Sequence, residues 1–488
     1  MTAEGCNTRI PLVKPPHNGS ANQVNHQWMS GLIMSVKTHA ARSHKSNELK
    51  GRVSAPGDKS ISHRSIIFGA MAEGTTTVTG LLRGADILST IGAMEAFGAE
   101  IKENADKTWS VKGVGDKGLR SPQEDVDCGN AGTGVRLIMG AAAGYEMTAR
   151  FTGDTSLSSR PMDRILNPLR DMGASAEART TEDGQKGRLP VTLTSEGTLN
   201  PIEYEPPHAS AQVKSAILLA GVKTKGTTKV IEPTLTRDHT ENMLRAFGVK
   251  VDSKERGDAT HISITGPQSL KATNVTVPGD PSSAAFLIVA ALITPGSEIF
   301  IENVMMNPTR TGLFETLTDM GAFLRADNFR KSGGETIADL HVKYSKLVGI
   351  TVPEERASSM IDEYPILAVA AAFAQGQTIM NGIGELRVKE SDRIAATTAL
   401  LSANGVDVIE RDDGMTVTGS EGQAQKGGGL VMTHHDHRIA MSALILGLNT
   451  TNPVSIDDAS MIATSFPTFF DLMSELGAEV TLEAETNS

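Results

Sequence analysis

The sequence predicts a mixed α/β protein of six similar units grouped as two domains of three, and three observations lead there. A short pattern recurs six times: an apolar residue, two variable residues, a further residue that is usually apolar, Gly, then Ala or Val. The copies are Met94 to Ala99, Leu169 to Ala174, Leu244 to Val249, Leu317 to Ala322, Leu401 to Val406 and Met473 to Ala478, with successive glycines 72 to 84 residues apart. Self-similarity at a near-fixed period marks an array of equivalent structural units. A longer repeat divides the array: Pro56-Gly57-Asp58-Lys59-Ser60 is echoed by Pro278-Gly279-Asp280-Pro281-Ser282-Ser283. The length of 488 residues exceeds what one hydrophobic core organises, so two domains are the default.

Within each unit the local physics is readable. Apolar residues three apart mark the buried face of a helix, and Gly just past its end takes the left-handed conformation that closes the last carbonyls. A strand is expected next, because Ala99-Glu100-Ile101, Val249-Lys250-Val251 and Ala478-Glu479-Val480 alternate. Ser60 and Ser282 are expected to cap the helices after the two Pro-Gly-Asp copies, with each Asp complementing the positive helix end. Chain crossings near 57 and 277 give domains of residues 58–276 and of 48–57 plus 277–484. Residues 1–47 are left out of the fold as an extension expected to be disordered. It has no compact apolar core for a secretory signal, its scarcity of acidic groups is similar to a transit peptide, and Met34 is an alternative start.

Composition narrows the function. A net charge of −11 argues against a general nucleic-acid binder, while a few arginines in one cleft still suit small anions. Two cysteines, Cys6 and Cys128, form no disulfide framework and fit a cytoplasmic protein. The longest apolar runs, Phe286 to Ile293 and Ile366 to Ala374, fall short of the ~18 residues of a membrane span.

Several clusters carry chemistry. Lys59, Ser60 and Arg64 at a helix start form an anion receptor with the free backbone N–H groups there, or a solvated cationic helix start. Gly129-Asn130-Ala131-Gly132-Thr133-Gly134-Val135-Arg136 lets backbone approach a ligand closely beside an arginine, although a Gly-rich turn into a helix reads the same way. In Lys389-Glu390-Ser391-Asp392-Arg393, read as a helix, two cations share a face beside a candidate acid or base; a salt-bridged surface helix has the same pattern. Asp362 precedes an apolar run and reads as a helix-start residue or an acid. His434-His435-Asp436-His437-Arg438 matches no strong zinc spacing, and no metal is expected there. Gly113 to Gly118 fits the dinucleotide glycine pattern but lacks the helix that must follow, so a hairpin or loop is expected.

These motifs, taken together with Arg160-Pro161-Met162 and Ser62-His63-Arg64, closely resemble the 5-enolpyruvylshikimate-3-phosphate synthase family from about residue 50 to 482. His208 to Ser215 and Met360 to Ala374 are most similar to its bacterial branch that includes glyphosate-tolerant enzymes. The resemblance implies two domains, each of three βαβαββ repeats in an inside-out α/β barrel. It implies an enolpyruvyl transfer from phosphoenolpyruvate to shikimate 3-phosphate by a monomer, without cofactor or metal, nucleic acid or membrane, and with glyphosate as inhibitor. Lys59, Ser60, Arg64, Ser210, Ala211, Gln212, Arg237, Asp362 and Lys389 would hold shikimate 3-phosphate. Lys59, Asn130, Gly132, Arg136, Arg160, Gln212, Arg393 and Arg438 would hold phosphoenolpyruvate. Asp362 and Glu390 would carry protons, with Lys59 and Lys389 also catalytic.

Two departures from the family are visible. A lysine common before the Thr-Phe-Pro-like segment is missing at Thr464-Ser465-Phe466-Pro467, and Gly132 stands where tolerant members have alanine. The rival of the same fold, which acts on UDP-N-acetylglucosamine, carries a loop cysteine over phosphoenolpyruvate that neither Cys6 nor Cys128 matches. A non-catalytic anion-binding protein of this fold is the other alternative.

Overall fold

Helices made mostly of small and apolar residues have no face to give to water, so they belong inside. A computed structural model describes residues 40–182, 184 and 186–483 of the chain, and six such helices form its interior. They are Lys59–Met71, Gly132–Ala143, Ala211–Lys223, Pro281–Ile293, Tyr364–Ala371 and His437–Leu446. Every residue of Pro281–Ile293 is buried. The second helix of each unit is amphipathic and lies half in the core: Ala85–Ala96, Asp163–Asp171, His239–Ala246, Gly312–Asp319, Arg393–Ala403 and Phe469–Glu475.

All six repeat glycines follow those second helices at positive φ, from 83° at Gly405 to 106° at Gly173. Strands follow each, beginning at Glu100, Ser175, Asp252, Phe323, Asp407 and Val480. The expected helix, glycine and strand order therefore holds in every copy.

The sheets repeat one pairing scheme. Val126–Asp127 lies parallel to Glu146–Thr152, which pairs antiparallel with Arg188–Glu196, which pairs antiparallel with Ser175–Arg179. The same scheme joins Glu203–Tyr204, Gly226–Glu232, Ala259–Gly266 and Asp252–Arg256. Two sheets borrow a parallel edge strand from elsewhere in the chain: Val275–Thr276 pairs with Thr75–Thr79, and Lys50–Ser54 with Glu298–Met305.

The last sheet corrects the expected extension. Ala41–Ser43 is its central strand, antiparallel to both Val454–Ile456 and Val480–Leu482. Without it two strands would keep unpaired backbone groups, so the fold begins before residue 48. The remainder of the expected extension, residues 1–39 with Met34, lies outside the described residues.

Two hydrophobic cores result. One runs from Ile61 to Val277 and includes Met305; the other joins Ala41 to Ala55 with Ala284 to Val480. Between them the two Pro-Gly-Asp segments run antiparallel, with Asp58 N donating to Pro278 O and Asp280 N to Pro56 O, both at 2.8 Å. Here the helix caps differ from expectation. Asp58 accepts from Ile61 N at 2.7 Å and Asp280 from Ser282 N at 3.0 Å, so the aspartates cap and the serines do not. A carboxylate is the stronger acceptor, and it meets the positive helix end one residue ahead of the first turn. The Gly113 to Gly118 segment is a loop with one short 3-10 turn at Gly115–Lys117. Among the described residues no helix is long and apolar enough to cross a membrane.

Gly248 isolates the backbone term of the repeat. Its φ is +85°, and a Cβ built there meets nothing closer than Lys271 Cδ at 3.9 Å. Gly248→Ala should therefore cost ~1–2 kcal/mol by left-handed strain alone, read from a denaturant titration at unchanged slope.

Candidate active site

Five of the six interior helices carry a predicted site residue at or just before their first turn. Buried helix starts present uncompensated N–H groups and a partial positive charge, so these positions suit anions. Lys59 begins its helix, and its ammonium is held by the carboxylate of Asp86, a buried residue of the neighbouring helix. Burial pushes the Asp86 carboxyl up, but Lys59 outweighs it and the group stays below the ordinary range.

Gly132 starts the second interior helix and sits between two guanidiniums. A Cβ placed on it would lie 3.0 Å from Arg160 Nη1 and 3.2 Å from Arg136 Nη1. Arg136 donates to Gln212 Oε1 at 2.9 Å and to the Gly132 and Pro161 carbonyls, and Gln212 Nε2 donates to Thr133 Oγ1 at 2.9 Å. Arg160 donates to Asn130 Oδ1 at 2.8 Å and to Ser156 Oγ at 3.1 Å. Burial, then the nearby Arg160 charge, brings Arg136 down to about 10, which still leaves it charged at neutral pH. Ser210 caps the helix that carries Ala211 and Gln212, accepting from Val213 N at 3.4 Å.

Asp362 lies in a 3-10 turn ahead of Tyr364–Ala371 and gathers the cations of the other half. Its carboxylate accepts from Arg237 Nη2 at 2.8 Å and Arg393 Nη1 at 3.1 Å, with Arg438 Nη2 3.9 Å away. Burial alone would raise its pKa; Arg438, Lys389, Arg237 and Arg393 together hold it well below the carboxylate range. Arg237 belongs to the first half of the chain and Asp362 to the second, so this ion pair joins the two at the site.

Arg393 is 1% exposed and balanced by three carboxylates: Asp362, Glu390 at 2.6 Å and Asp436 at 2.8 Å. Burial works against its charge, but Glu390, Asp436 and Asp362 reverse that and raise its pKa. Glu390 keeps 36% of its side chain open, at the mouth of the cluster. Burial would raise its pKa, yet Arg393 holds it below the ordinary value.

Two predicted residues sit differently from expectation. Residues 389–393 are not one helical face: the helix begins at Arg393, because Asp392 caps it by accepting from Ala395 N at 3.1 Å. Lys389 therefore lies in the preceding turn, paired with Glu385 at 2.8 Å. Arg64 is 2% exposed beneath the Lys59 helix start, donating to the Ser60 carbonyl, Thr240 Oγ1 and Ser215 Oγ. Sequence reasoning missed Asp86 and gave Asp436 no role. Nothing near Asp86 in sequence marks it, whereas Asp436 lies inside a motif that was singled out for its arginine.

The family model of EPSP synthase (3-phosphoshikimate 1-carboxyvinyltransferase) matches residues 43–473. The chain belongs to that family. It is accordingly an enzyme that transfers the enolpyruvyl group of phosphoenolpyruvate to shikimate 3-phosphate, with release of phosphate, in aromatic biosynthesis. The 3-phosphoshikimate 1-carboxyvinyltransferase of Chelativorans sp. (strain BNC1) is 57% identical, over 91% of this chain and 98% of that one. The Caulobacter vibrioides (strain NA1000 / CB15N) protein of the same name is 58% identical, over 88% and 96%. An EPSP synthase structure from Acinetobacter baumannii superposes with a TM-score of 0.83 at 46% identity, covering 92% of this chain and all of its own. The enolpyruvyl transferase NikO of Streptomyces tendae, at 19% identity and a TM-score of 0.69 over 92% of this chain and 100% of its own, shares the fold.

Other groups in the family's motifs have settled electrostatics. Burial, then Asp127, pushes the Cys128 thiol up to about 12, so it is inert as a nucleophile. His437 is brought down to about 3 by burial and then Arg438, and stays neutral. His435, in contrast, is 87% exposed.

Asp436 supplies a pH test. Burial would raise its carboxyl, but Arg393 outweighs this and holds it at about 2. Since an unfolded Asp titrates near ~3.9, the pair's contribution is complete above about pH 4 and lost as pH falls through about 2. Asp436→Asn should cost roughly 2–3 kcal/mol at pH 7 and much less near pH 2, measured by denaturation across that range.

Proposed function

We propose that the ring of cations around Asp362 and the shared Arg393 act as a substrate-operated release for two proton carriers. Without substrate, Asp362 and Glu390 are ion-paired and poor proton carriers. Phosphoenolpyruvate brings a carboxylate and a phosphate to Lys59, Asn130, the Gly132 N–H, Arg136, Arg160, Gln212, Arg393 and Arg438. Shikimate 3-phosphate brings its own phosphate and hydroxyls to Lys59, Ser60, Ser210, Ala211, Gln212, Arg237, Asp362 and Lys389, with Arg64 supporting from below. As these anions take over Arg393, Arg438 and Arg237, burial is left unopposed and both carboxyls rise toward useful basicity. The observation that carries this reading is that Asp362 is paired with Arg237 and Arg393 and lies near Arg438, cations that the family resemblance gives to the substrates.

The transfer then balances as follows. The 5-hydroxyl oxygen bonds to C2 of phosphoenolpyruvate while Asp362 takes the hydroxyl proton and Glu390 gives one to the methylene carbon. From the tetrahedral intermediate the C2–O bond to phosphate breaks, the phosphate leaving beside Lys59 and Lys389 with the proton that Asp362 took from the hydroxyl, and Glu390 recovers a methyl proton to restore the double bond. Closing residues 58–276 onto the half containing 41–57 and 277–483 would exclude water and strengthen each charge-assisted bond. The inert Cys128 disfavours the reading as a UDP-N-acetylglucosamine transferase, and the full acid and arginine set disfavours a silent binding protein. The family resemblance supports a monomer, and the cysteine usage supports the cytoplasm.

Phosphate release from phosphoenolpyruvate should require shikimate 3-phosphate and not occur with UDP-N-acetylglucosamine. Asp362→Asn and Glu390→Gln should each lower kcat ~10²–10⁴-fold, and Glu390→Gln should also abolish exchange of the substrate methylene hydrogens with solvent. Intact exchange in Glu390→Gln would remove Glu390 from the methylene side.

Gly132 supports glyphosate sensitivity within a branch that includes tolerant enzymes. An added methyl at 3.0 and 3.2 Å displaces two guanidiniums by a few tenths of an ångström. Gly132→Ala should raise the KM for phosphoenolpyruvate several-fold and the glyphosate inhibition constant by more, on the order of tenfold or above, in a titration of the purified enzyme.

A further inference from the structure

The turn Asn307–Arg310 joins both chain crossings to the acid site, although none of its residues belongs to the site. Arg310 is 4% exposed and spans the two crossing aspartates, donating to Asp58 Oδ2 and to Asp280 Oδ1, each at 2.9 Å. Those aspartates cap the helices beginning at Lys59 and Pro281. The same Arg310 nitrogen that meets Asp280 also donates to Ser282 Oγ at 2.9 Å, and Ser282 Oγ in turn donates to Glu363 Oε1. Glu363 is buried next to Asp362 and accepts from Arg438 Nη1 at 3.3 Å, while Arg438 Nη1 also donates to the Asp362 carbonyl at 3.1 Å.

The other end of the turn reaches the second half of the ion pair. Asn307 Nδ2 donates to Asp238 Oδ1 at 2.7 Å and to Glu335 Oε2 at 2.9 Å. Asp238 follows Arg237, which grips Asp362 from the opposite half. His239 Nδ1 lies 2.9 Å from Glu335 Oε1, so buried His239, Asn307 and Glu335 close a knot with half-buried Asp238 beside Arg237. One turn thus sets the start of the Lys59 helix, the setting of Arg438 through Glu363, and the approach of Arg237.

We propose that Arg310 is a positioning residue, which through Ser282 and Glu363 holds Asp362 and Arg438 in register with the Lys59 helix across the chain crossing. This rests on the roles given above to Asp362 and Arg438. Its physical basis is the planar guanidinium, which bonds two carboxylates and a hydroxyl at once from a fixed fork. A lysine ammonium is a point charge on a flexible stem and does not reproduce that span. A shift of about 1 Å in the site suffices for a loss on the order of 10²-fold in rate.

The test uses three variants of the full chain. Ser282→Ala removes the link from Arg310 to Glu363 and leaves both Arg310 ion pairs. Arg310→Lys keeps the buried charge, so two carboxylates are not stranded, and loses the fork. Asp362→Asn reports on the site itself. Kinetics are measured with each substrate varied, beside the melting temperature.

Ser282→Ala is expected to melt within a few degrees of the parent, with kcat down ~10-fold or more and both KM values changed less than ~3-fold. Arg310→Lys should lose as much, and the double variant no more than the worse single, since both break one chain of contacts. A purely structural Arg310 would lower the melting temperature and leave kcat per folded molecule unchanged, which would overturn the proposal. If Arg310→Lys does not fold, Ser282→Ala decides alone: parental kcat overturns it, and a folded variant with reduced kcat supports it. Asp362→Asn with near-parental kcat would overturn the site reading and this inference with it. An inactive Asp362→Asn beside fully active Ser282→Ala and Arg310→Lys would overturn only the inference.

Discussion

A buried arginine surrounded by carboxylates is the constraint on which the site depends. Arg393 has almost no access to water, and its charge is tolerable there only because Asp362, Glu390 and Asp436 surround it. Those carboxylates are in turn ionised inside protein only because Arg393, Arg237, Arg438 and Lys389 are near. Neither sign is stable without the other, so the cluster carries its own balance. Such a balance is easily tipped by a ligand that is itself an anion. On the proposed reading, two phosphorylated substrates bound there would change the proton affinity of the acids by the act of binding.

The repeated fold explains how so many charges converge. Each unit sends one interior helix into the core, and the start of that helix is where backbone N–H groups remain unpaired. Lys59, Gly132, Ala211, Asp362 and Arg438 occupy equivalent places, at or within two residues of the first turn, in five units. The unit starting at Pro281 uses the same place differently: its cap Asp280 and Ser282 bond Arg310 and face the crossing. Repetition thus supplies six similar positions, and side-chain choice divides them between carrying the candidate anion-binding residues and joining the halves.

Much of this was legible in the chain. The six glycines announced their left-handed conformation, since a helix end followed by a strand requires a residue free of Cβ strain. The anion-binding residue types stood in motifs whose resemblance to a family named their substrates. The sequence misled where two neighbours competed for one role, as with Asp58 against Ser60 at the cap, or Asp392 against a continuous helix through Lys389. It was silent on Asp86 and Arg310, which have no local signature.

The sequence by itself determined the period and the helix and strand order of each unit, because these follow from interactions among residues a few positions apart, and its motifs carried the resemblance that implied the ligands. Only the tertiary structure decided that Ala41–Ser43 completes the last sheet. It alone decided that Arg237 pairs with Asp362 across 125 residues and Arg310 with Asp58 across 252. An ion pair's worth is set by its separation and by how little water remains between the charges. Those quantities come into being only when distant segments have packed.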